Sequence, residues 1–257
     1  MSDLRVLPLK AVHNFRDYGH YPASGGRLRG GLLYRSAQHA DATPDDLDRI
    51  SSLELATVID LRGNHERRHH PCRRPEGFAA EVIFHDGETA GMPPHLQAEL
   101  ANMDEAGMRR ATAAIYRNLP MRKGLLEVFG RYFEVLAGRD GASLVHCLAG
   151  KDRTGIAVAL FHRIMGVHHD DMMADYLLTN SAGDQDARIG AAAKSVRARY
   201  GNLSDDALRV IMGVAPEYLD NAFAAIIEKY GSLENFMEAE LGVDAARREV
   251  LRQKFVI

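Results

Sequence analysis

The chain has 257 residues, 46% of them hydrophobic, and a formal net charge of −3 at pH 7. This length and apolar fraction can bury one large core, and no Pro/Ser-rich or charged linker divides the chain, so we expect a single domain over residues 1–257. The charge balance excludes bulk attraction for nucleic acid as a partner, and no apolar run reaches the roughly 18 residues of an integral membrane segment. Only Cys72 and Cys147 are present, so a disulfide framework is excluded and the cytoplasm is the default location, with export lacking a signal peptide left open.

The sequence of the first third of the chain predicts a hairpin, a helix and two strands. Ala23-Ser24-Gly25-Gly26 is typical of a hairpin turn. Thr43 is placed to cap a helix that has Pro44 in its first position. Apolar runs then predict strands over Leu55–Asp60 and Ala80–Phe84.

A histidine-rich stretch lies between these two strands. His65 and His69 have the i, i+4 spacing of metal ligands on a helix, with His70 and Cys72 nearby. However, the neighbouring arginines oppose a divalent cation, and no second ligand pair follows at zinc-finger spacing. We therefore expect no metal here, and interpret the stretch as a basic surface loop that attracts anionic substrates.

The middle of the chain alternates between helix and strand. A helical stretch over about 111–137, interrupted near Pro120, leads to an apolar strand over Ala142–Val145. The apolar helix Ile156–Met165 follows, with Gly166 as its terminating glycine. This alternation predicts the α/β class, with a mostly parallel central sheet flanked by helices.

The loop between that strand and that helix reads His-Cys-Leu-Ala-Gly-Lys-Asp-Arg-Thr-Gly over residues 146–155. Backbone N–H groups that turn inward, together with the positive end of the helix dipole, make such a loop an anion cradle. The same groups, with Arg153, favour the thiolate of Cys147. Arg153 offers a planar pair of donors to phosphoryl oxygens, which lysine could not replace. We expect Cys147 to be a nucleophile and Arg153 to bind the phosphoryl group.

The other loop positions are predicted to bind substrate: His146, Leu148, Ala149, Gly150, Lys151, Thr154 and Gly155. Gly150 and Gly155 allow a close backbone approach to phosphate, and the Thr154 hydroxyl can hydrogen-bond the departing sulfur. His146 either orients the loop or supports catalysis, and both roles stay open.

The general acid has two equal candidates. Asp152 lies inside the loop, within reach of the substrate oxygens. Asp60 ends a strand at the sheet edge where ligands gather, with Arg62 beside it as a structural ion-pair partner. Asp86 is a third candidate, better interpreted as a turn residue.

Beyond Gly166 the chain is predicted to be entirely helical, forming a helical C-terminal third. Ser204 and Ser232 are typical helix caps, and Pro216 fits the first position of a helix. The predicted helices are Asp170–Asn180, Gln185–Tyr200, Ser204–Met212, Pro216–Tyr230, Ser232–Leu241 and Asp244–Phe255.

The loop resembles that of the bacterial tyrosine phosphatases in the cysteine-dependent protein tyrosine phosphatase superfamily. Further segments are similar to that group: His13-Asn14-Phe15-Arg16-Asp17-Tyr18-Gly19, Arg29–Ser36, Val58–Arg62 and Val214–Leu219. The resemblance implies a two-step reaction. Cys147 attacks phosphorus, a carboxylic acid protonates the leaving oxygen, and water hydrolyses the cysteinyl-phosphate, with no metal or other cofactor.

In the family resembled, an inserted helical pair covers the active site, and we expect this lid at about residues 182–212. Lys194, Arg197, Arg199 and Arg209 would give it a basic side, although a solvated helix face explains these charges equally well.

The expected partners are phosphorylated proteins, phosphotyrosine first and phosphoserine or phosphothreonine second, and phosphoinositides. Lys151 adds a point charge that suits substrates with several phosphates, although a solvated lysine would look the same. Two alternatives are a catalytically silent phosphate-binding or phosphoinositide-binding module and a sulfurtransferase. The sequence predicts neither an oligomeric state nor whether Cys72 can reach Cys147 to form a disulfide.

Overall fold

A five-stranded sheet forms the centre of the molecule. The computed structural model describes residues 3–91, 104–182, 189–190, 193–194, 196–198, 201 and 203–257. The strands are β1 (Arg16–Asp17), β2 (Pro22–Ala23), β3 (Gly26–Arg27), β4 (Leu33–Ser36), β5 (Leu55–Asp60), β6 (Glu81–Phe84) and β7 (Ala142–His146). The sheet order is β1-β4-β7-β5-β6, and only β1 runs antiparallel to its neighbour. Strands β2 and β3 form the predicted hairpin.

Both faces of the sheet are buried. Val58 and Leu144 point into one apolar cluster, while Ile59 and Val145, one residue further along β5 and β7, point into the other. This alternation follows from the two-residue period of a strand. Continuous apolar runs in the sequence therefore mark strands covered on both sides.

Helices flank the sheet. They are α1 (Pro44–Ser51), α2 (Asn64–His69), α3 (Glu105–Asn118), α4 (Lys123–Gly138), α5 (Asp152–Met165), α6 (His169–Leu177), α7 (Asp205–Met212), α8 (Pro216–Tyr230), α9 (Leu233–Leu241) and α10 (Ala245–Phe255). The predicted fold class, a mostly parallel sheet flanked by helices with a helical C-terminal third, is confirmed.

The helix ends follow the capping signals of the sequence. Thr43 accepts a hydrogen bond from the Asp46 N–H, and Asp46 caps the Thr43 N–H in return. Ser204 and Ser232 cap α7 and α9. Gly166 ends α5 in the left-handed conformation, with φ of 71°.

Several element bounds and one assignment differ from the sequence expectations. The helix expected over Ile156–Met165 begins at Asp152, so Asp152 and Arg153 lie in its first turn rather than in the loop. The histidine-rich stretch is not a loop throughout, because residues 64–69 form α2, which Gly63 precedes and Glu66 stabilises by capping the Gly63 N–H. The helical stretch expected from about residue 111 begins earlier, at Glu105, because Asp104 caps it, and the break near Pro120 is a short 3₁₀ turn over Leu119–Met121.

Three strands bring their carboxyl ends to one edge of the sheet. Ser36 of β4 and Asp60 of β5 are both in register with His146, the last residue of β7. The loop after β7 therefore begins between the ends of its two neighbours. This is the edge where parallel α/β sheets bind ligands.

The predicted lid at about 182–212 falls partly outside the described residues. The described positions 189–190, 193–194 and 196–198 are helical, and α7 ends the range. The lid and the single domain stay predictions. In the described part of the chain no single helix is long and apolar enough to cross a membrane, although the bent pair α7 and α8, at 49°, meets the criteria of length and composition.

Candidate active site

The predicted loop joins β7 to α5. Cys147 follows the last residue of β7 and is only 2% exposed. Lys151 precedes α5, whose first residue is Asp152. The partly exposed residues Leu148 and Ala149 form the crest, and the Leu148 carbonyl accepts a hydrogen bond from the Gln38 N–H at 3.1 Å. The cysteine thus lies at the floor of a strand-to-helix loop, as the sequence predicts.

Gly150 is required by the path of this loop. Its φ is 66°, in the left-handed region, and a Cβ atom there would lie 2.4 Å from the Ser36 carbonyl oxygen. Its own carbonyl accepts hydrogen bonds from Asn14 Nδ2 at 2.7 Å and from Arg35 Nη2 at 3.0 Å. The N-terminal segment and β4 therefore hold the loop from below.

A buried charge cluster supports these contacts. Asp175 of α6 accepts hydrogen bonds from Arg16 Nε at 3.1 Å and from Arg35 Nη1 at 2.6 Å. Burial would raise the pKa of the Asp175 carboxyl, but the two guanidinium groups hold it well below its ordinary value. Two buried cations share one carboxylate, so a net positive charge lies beneath the loop and favours a bound anion.

Arg153, in the first turn of α5, is held by Glu66 of α2. Its Nη1 and Nη2 atoms donate to the two Glu66 carboxylate oxygens at 2.5 and 2.8 Å. Burial would lower the pKa of Arg153, but these bonds and the nearby Cys147 raise it. Nη1 also lies 3.3 Å from the Leu61 carbonyl and 3.2 Å from Thr89 Oγ1.

The contacts of Arg153 with Glu66, Leu61 and Thr89 form a clamp that leaves two N–H donors of Arg153 available. Nε and the remaining N–H of Nη2 have no hydrogen-bond partner in the part of the chain that the structure describes. These two N–H groups lie on one edge of the planar guanidinium, which suits two oxygens of a phosphoryl group.

The two acid candidates have different environments. Arg62 donates to both Asp60 oxygens, at 2.8 and 2.7 Å, and Asp60 is 2% exposed. Burial would raise the pKa of Asp60, but His146 and Arg62 hold it well below its ordinary value. The Asp152 side chain is 31% exposed, and its Oδ1 accepts hydrogen bonds from Tyr116 and Lys151. Asp86 bonds Asn64 in an exposed turn.

His146 is buried against His39, with the two rings stacked at a centroid distance of 5.3 Å. Its Nδ1 lies 3.3 Å from the Cys147 carbonyl oxygen, and its Nε2 lies 3.7 Å from Asp60 Oδ2. Burial lowers the pKa of His146 to about 4. The imidazole is therefore neutral at pH 7, and its contacts favour the loop-orienting role.

The remaining predicted residues lie at the helix end of the loop. Lys151 is mostly buried, and its Nζ lies 2.8 Å from Asp152 Oδ1 and 3.3 Å from the Gly213 carbonyl, just after α7. Gly155 faces the ring of Tyr176, which a Cβ would approach to 2.8 Å. The Thr154 hydroxyl is buried with no hydrogen-bond partner among the described residues, so its bond to the cysteine sulfur stays a prediction.

Cys72 lies beside the Asp60–Arg62 pair. Its sulfur accepts hydrogen bonds from Arg62 Nη2 at 3.1 Å and from the His39 N–H at 3.4 Å. Both Cys72 and Cys147 are free thiols, and a disulfide between them stays a hypothesis.

Sequence reasoning missed the supporting residues of this site: Asn14, Arg35, Glu66, Thr89, Tyr116, Asp175 and Tyr176. Glu66 carried a usable signal, because it is the one acidic residue in an otherwise cationic run. Asn14 and Arg35 lie in the N-terminal segments that carry the family resemblance, although the sequence assigned them no role. Thr89, Tyr116, Asp175 and Tyr176 contact the site only through tertiary structure, which no local pattern records.

Comparisons with known proteins identify relatives of this chain. A model of the tyrosine phosphatase family matches residues 7–257. The Cupriavidus necator protein H16_A0669, whose name marks it as an inferred tyrosine-protein phosphatase, is 32% identical over 94% of this chain and 86% of its own. The triple specificity protein phosphatase PtpB of Mycobacterium tuberculosis is 30% identical over 95% of this chain and 96% of its own.

A solved structure, that of P. aeruginosa TpbA, is 20% identical, covers 71% of this chain and 86% of that chain, and has a TM-score of 0.30. The family match and the two curated relatives confirm the predicted resemblance and the predicted enzyme class, a protein-tyrosine phosphatase. The chain therefore belongs to the tyrosine phosphatase family.

Proposed function

We propose that the chain hydrolyses phosphotyrosine through a cysteinyl-phosphate, with Cys147 as nucleophile, Arg153 as phosphoryl ligand and Asp152 as general acid. One observation carries the proposal. At the carboxyl edge of the sheet, the loop after β7 and the first turn of α5 bring together a buried cysteine, a clamped arginine with two donors unpaired among the described residues, and a partly exposed carboxyl group.

The choice of Asp152 over Asp60 rests on availability. Arg62 occupies both oxygens of Asp60, so a proton there would break an ion pair buried from solvent. Asp152 keeps Oδ2 without a hydrogen-bond partner among the described residues, and it is exposed enough to meet a substrate. Asp60 serves instead to fix Arg62 and the end of β5.

In the first step the Cys147 thiolate forms a bond to phosphorus while the bond from phosphorus to the tyrosine oxygen breaks. The leaving oxygen takes the proton from Asp152 and departs as neutral phenol. Arg153 and the loop N–H groups bind the equatorial oxygens, where charge is spread in the transition state. Water then attacks the phosphorus of the cysteinyl-phosphate, the bond from phosphorus to sulfur breaks to return the Cys147 thiolate, and Asp152, now a carboxylate, accepts a proton from that water.

Phosphotyrosine is the first substrate, because the names of the relatives specify tyrosine-protein phosphatases and a triple specificity phosphatase. Phosphoserine, phosphothreonine and phosphoinositides are proposed as secondary substrates, the last because the Lys151 ammonium adds a cation beside Asp152. Two free cysteines suit a reducing compartment, so we place the enzyme in the cytoplasm.

The test is phosphate release in EDTA from a phosphotyrosine peptide, a phosphoserine peptide and a phosphatidylinositol phosphate. We expect the wild-type protein to act on phosphotyrosine fastest. Cys147→Ser should abolish release, and Arg153→Lys should lower kcat/KM by about 100-fold or more because lysine cannot form the two-donor edge. Cys72→Ser is the matched control and should keep its activity.

No release from any of the three substrates would contradict the proposal and favour the phosphate-binding module or the sulfurtransferase. Release that survives in Cys147→Ser would exclude the cysteine mechanism.

A further inference from the structure

Two buried tyrosines connect Asp152 to helices outside the phosphate loop. Tyr176 of α6 donates its hydroxyl proton to the Tyr116 hydroxyl at 2.8 Å, and Tyr116 of α3 donates to Asp152 Oδ1 at 2.5 Å. Both tyrosine side chains are 1% exposed. The hydroxyl chain therefore runs through the protein interior and ends on the carboxyl group.

The chain of tyrosine hydroxyl groups contacts only one oxygen of Asp152, which is Oδ1. Lys151 Nζ lies 2.8 Å from the same Oδ1, while Oδ2 has no hydrogen-bond partner among the residues that the structure describes. A protonated carboxyl group carries its proton on one oxygen and accepts hydrogen bonds at the other. Two donors at Oδ1 make that atom the acceptor, so the proton is carried by Oδ2.

We propose that Tyr116 is a positioning residue that, with Lys151, reserves Oδ2 of Asp152 for delivery of the proton to the leaving oxygen. The inference rests on the proposed function, in which Asp152 is the general acid. During the step the Oδ2 proton passes to the tyrosine oxygen as its bond to phosphorus breaks. The charge left on the carboxylate is then stabilised by the two donors that already face Oδ1.

The Tyr116 hydroxyl is suited to this role because it remains a donor. Burial, and then the neighbouring Asp152 and Tyr176, raise the pKa of Tyr116 well above its ordinary value. The ring is fixed as well, since it packs against Tyr218 at a centroid distance of 5.4 Å. A fixed, permanently protonated donor keeps the rotation of the carboxyl group in one state, and such alignment is what efficient proton transfer needs.

The experiment compares two substrates that differ in how much they need the acid. Phenyl phosphate releases a phenol about as basic as a tyrosine side chain, whereas p-nitrophenyl phosphate releases a stabilised phenolate that leaves without help. We measure kcat/KM, which reports the step in which the phenol leaves. Tyr116→Phe should lower kcat/KM for phenyl phosphate about tenfold, and for p-nitrophenyl phosphate by less than about threefold.

Tyr132→Phe is the matched control. Tyr132 is also fully buried and also shares a hydroxyl–hydroxyl hydrogen bond, to Tyr18 at 2.8 Å, but neither residue contacts Asp152. We expect it to change kcat/KM for both substrates by the same factor. Tyr176→Phe, which removes the bond that orients the Tyr116 hydroxyl, should show the selective loss at about threefold and serves as a second variant if Tyr116→Phe does not fold.

The variant Asp152→Asn distinguishes a wrong assignment of the general acid from a wrong assignment of Tyr116 as its positioning residue. If Asp152→Asn lowers kcat/KM equally for both substrates, the general acid of the proposed function is misassigned. If Asp152→Asn is selective for phenyl phosphate while Tyr116→Phe and Tyr176→Phe are not, Asp152 is the acid and the positioning role is overturned. In the Asp152→Asn background, Tyr116→Phe should add no further selectivity.

Discussion

At the scale of single residues, the site depends on which atoms of each group are already occupied. Glu66 takes the end of the Arg153 guanidinium, at 2.5 and 2.8 Å, and Leu61 and Thr89 contact Nη1. The donors that remain are the two on the opposite edge. The Glu66 carboxylate therefore orients Arg153 for the phosphoryl group without contacting that group itself.

Replacement of Glu66 tests this clamp. Glu66→Gln removes the charge that fixes both terminal nitrogens of Arg153, so the guanidinium can turn away from the phosphoryl group. We expect kcat/KM for a phosphotyrosine peptide to fall by about 10- to 100-fold. Glu76→Gln, a change of the same type at an exposed position nearby, should leave kcat/KM within about twofold of wild type. Equal activity in wild type and Glu66→Gln would show that Arg153 needs no clamp.

At the scale of elements, the register of β4, β7 and β5 assembles the floor of the site. The register places Asp60 beside His146, and the stack of His39 on His146 closes the other side of the imidazole. Burial lowers the pKa of His146 to about 4. At neutral pH the imidazole is uncharged, so Arg62 is the charge partner that keeps Asp60 ionised.

This strand-end arrangement makes stability depend on pH. The pKa of His146 is lowered on folding. Between about pH 6.5 and 4, His146 is therefore protonated in the unfolded chain but not in the folded chain. Stability from this group is complete above that window and is lost as the pH falls through it. Across this window, His146 alone should lower the free energy of unfolding by about 3 kcal/mol.

Urea unfolding of wild type and His146→Gln at several pH values measures this contribution. The wild-type free energy of unfolding should fall more steeply than that of the variant between pH 6.5 and 4, because the variant lacks the buried imidazole that must take up a proton. Parallel curves for the two proteins would contradict the buried, neutral state of His146.

At the scale of the whole molecule, distant parts of the chain meet beneath one loop. Asn14 and Arg35 bond the Gly150 carbonyl, and Asp175 joins Arg35 to Arg16. The N-terminal segment, β4 and α6 thus hold the loop that follows β7. The tyrosine chain adds α3 to the same support.

The sequence predicts the parts of this assembly that local rules govern. The strand β5 has the bounds that its apolar run indicates, α8 begins at Pro216, and the serine and threonine caps lie where expected. The reacting loop is readable because cysteine, glycine and arginine occur at fixed spacing between a strand and a helix.

Residues whose role depends on long-range contacts could not be predicted in the same way. Tyr116 lies on a helix whose pattern indicates only an apolar face, and Glu66 lies in a stretch that we expected to be a surface loop. Asp60 and Asp152 were equivalent in the sequence because the Asp60–Arg62 ion pair and the exposure of Asp152 are tertiary facts.

The most direct test of the account is to trap the intermediate on the protein. Wild type and Asp152→Asn would be mixed with p-nitrophenyl phosphate that carries a radiolabelled phosphoryl group, quenched during turnover, digested and mapped. We predict label on the peptide that contains Cys147, more of it in Asp152→Asn because hydrolysis of the cysteinyl-phosphate also needs Asp152, and none in Cys147→Ser. Release of nitrophenol by wild type and Asp152→Asn with no label on either protein would contradict a covalent mechanism.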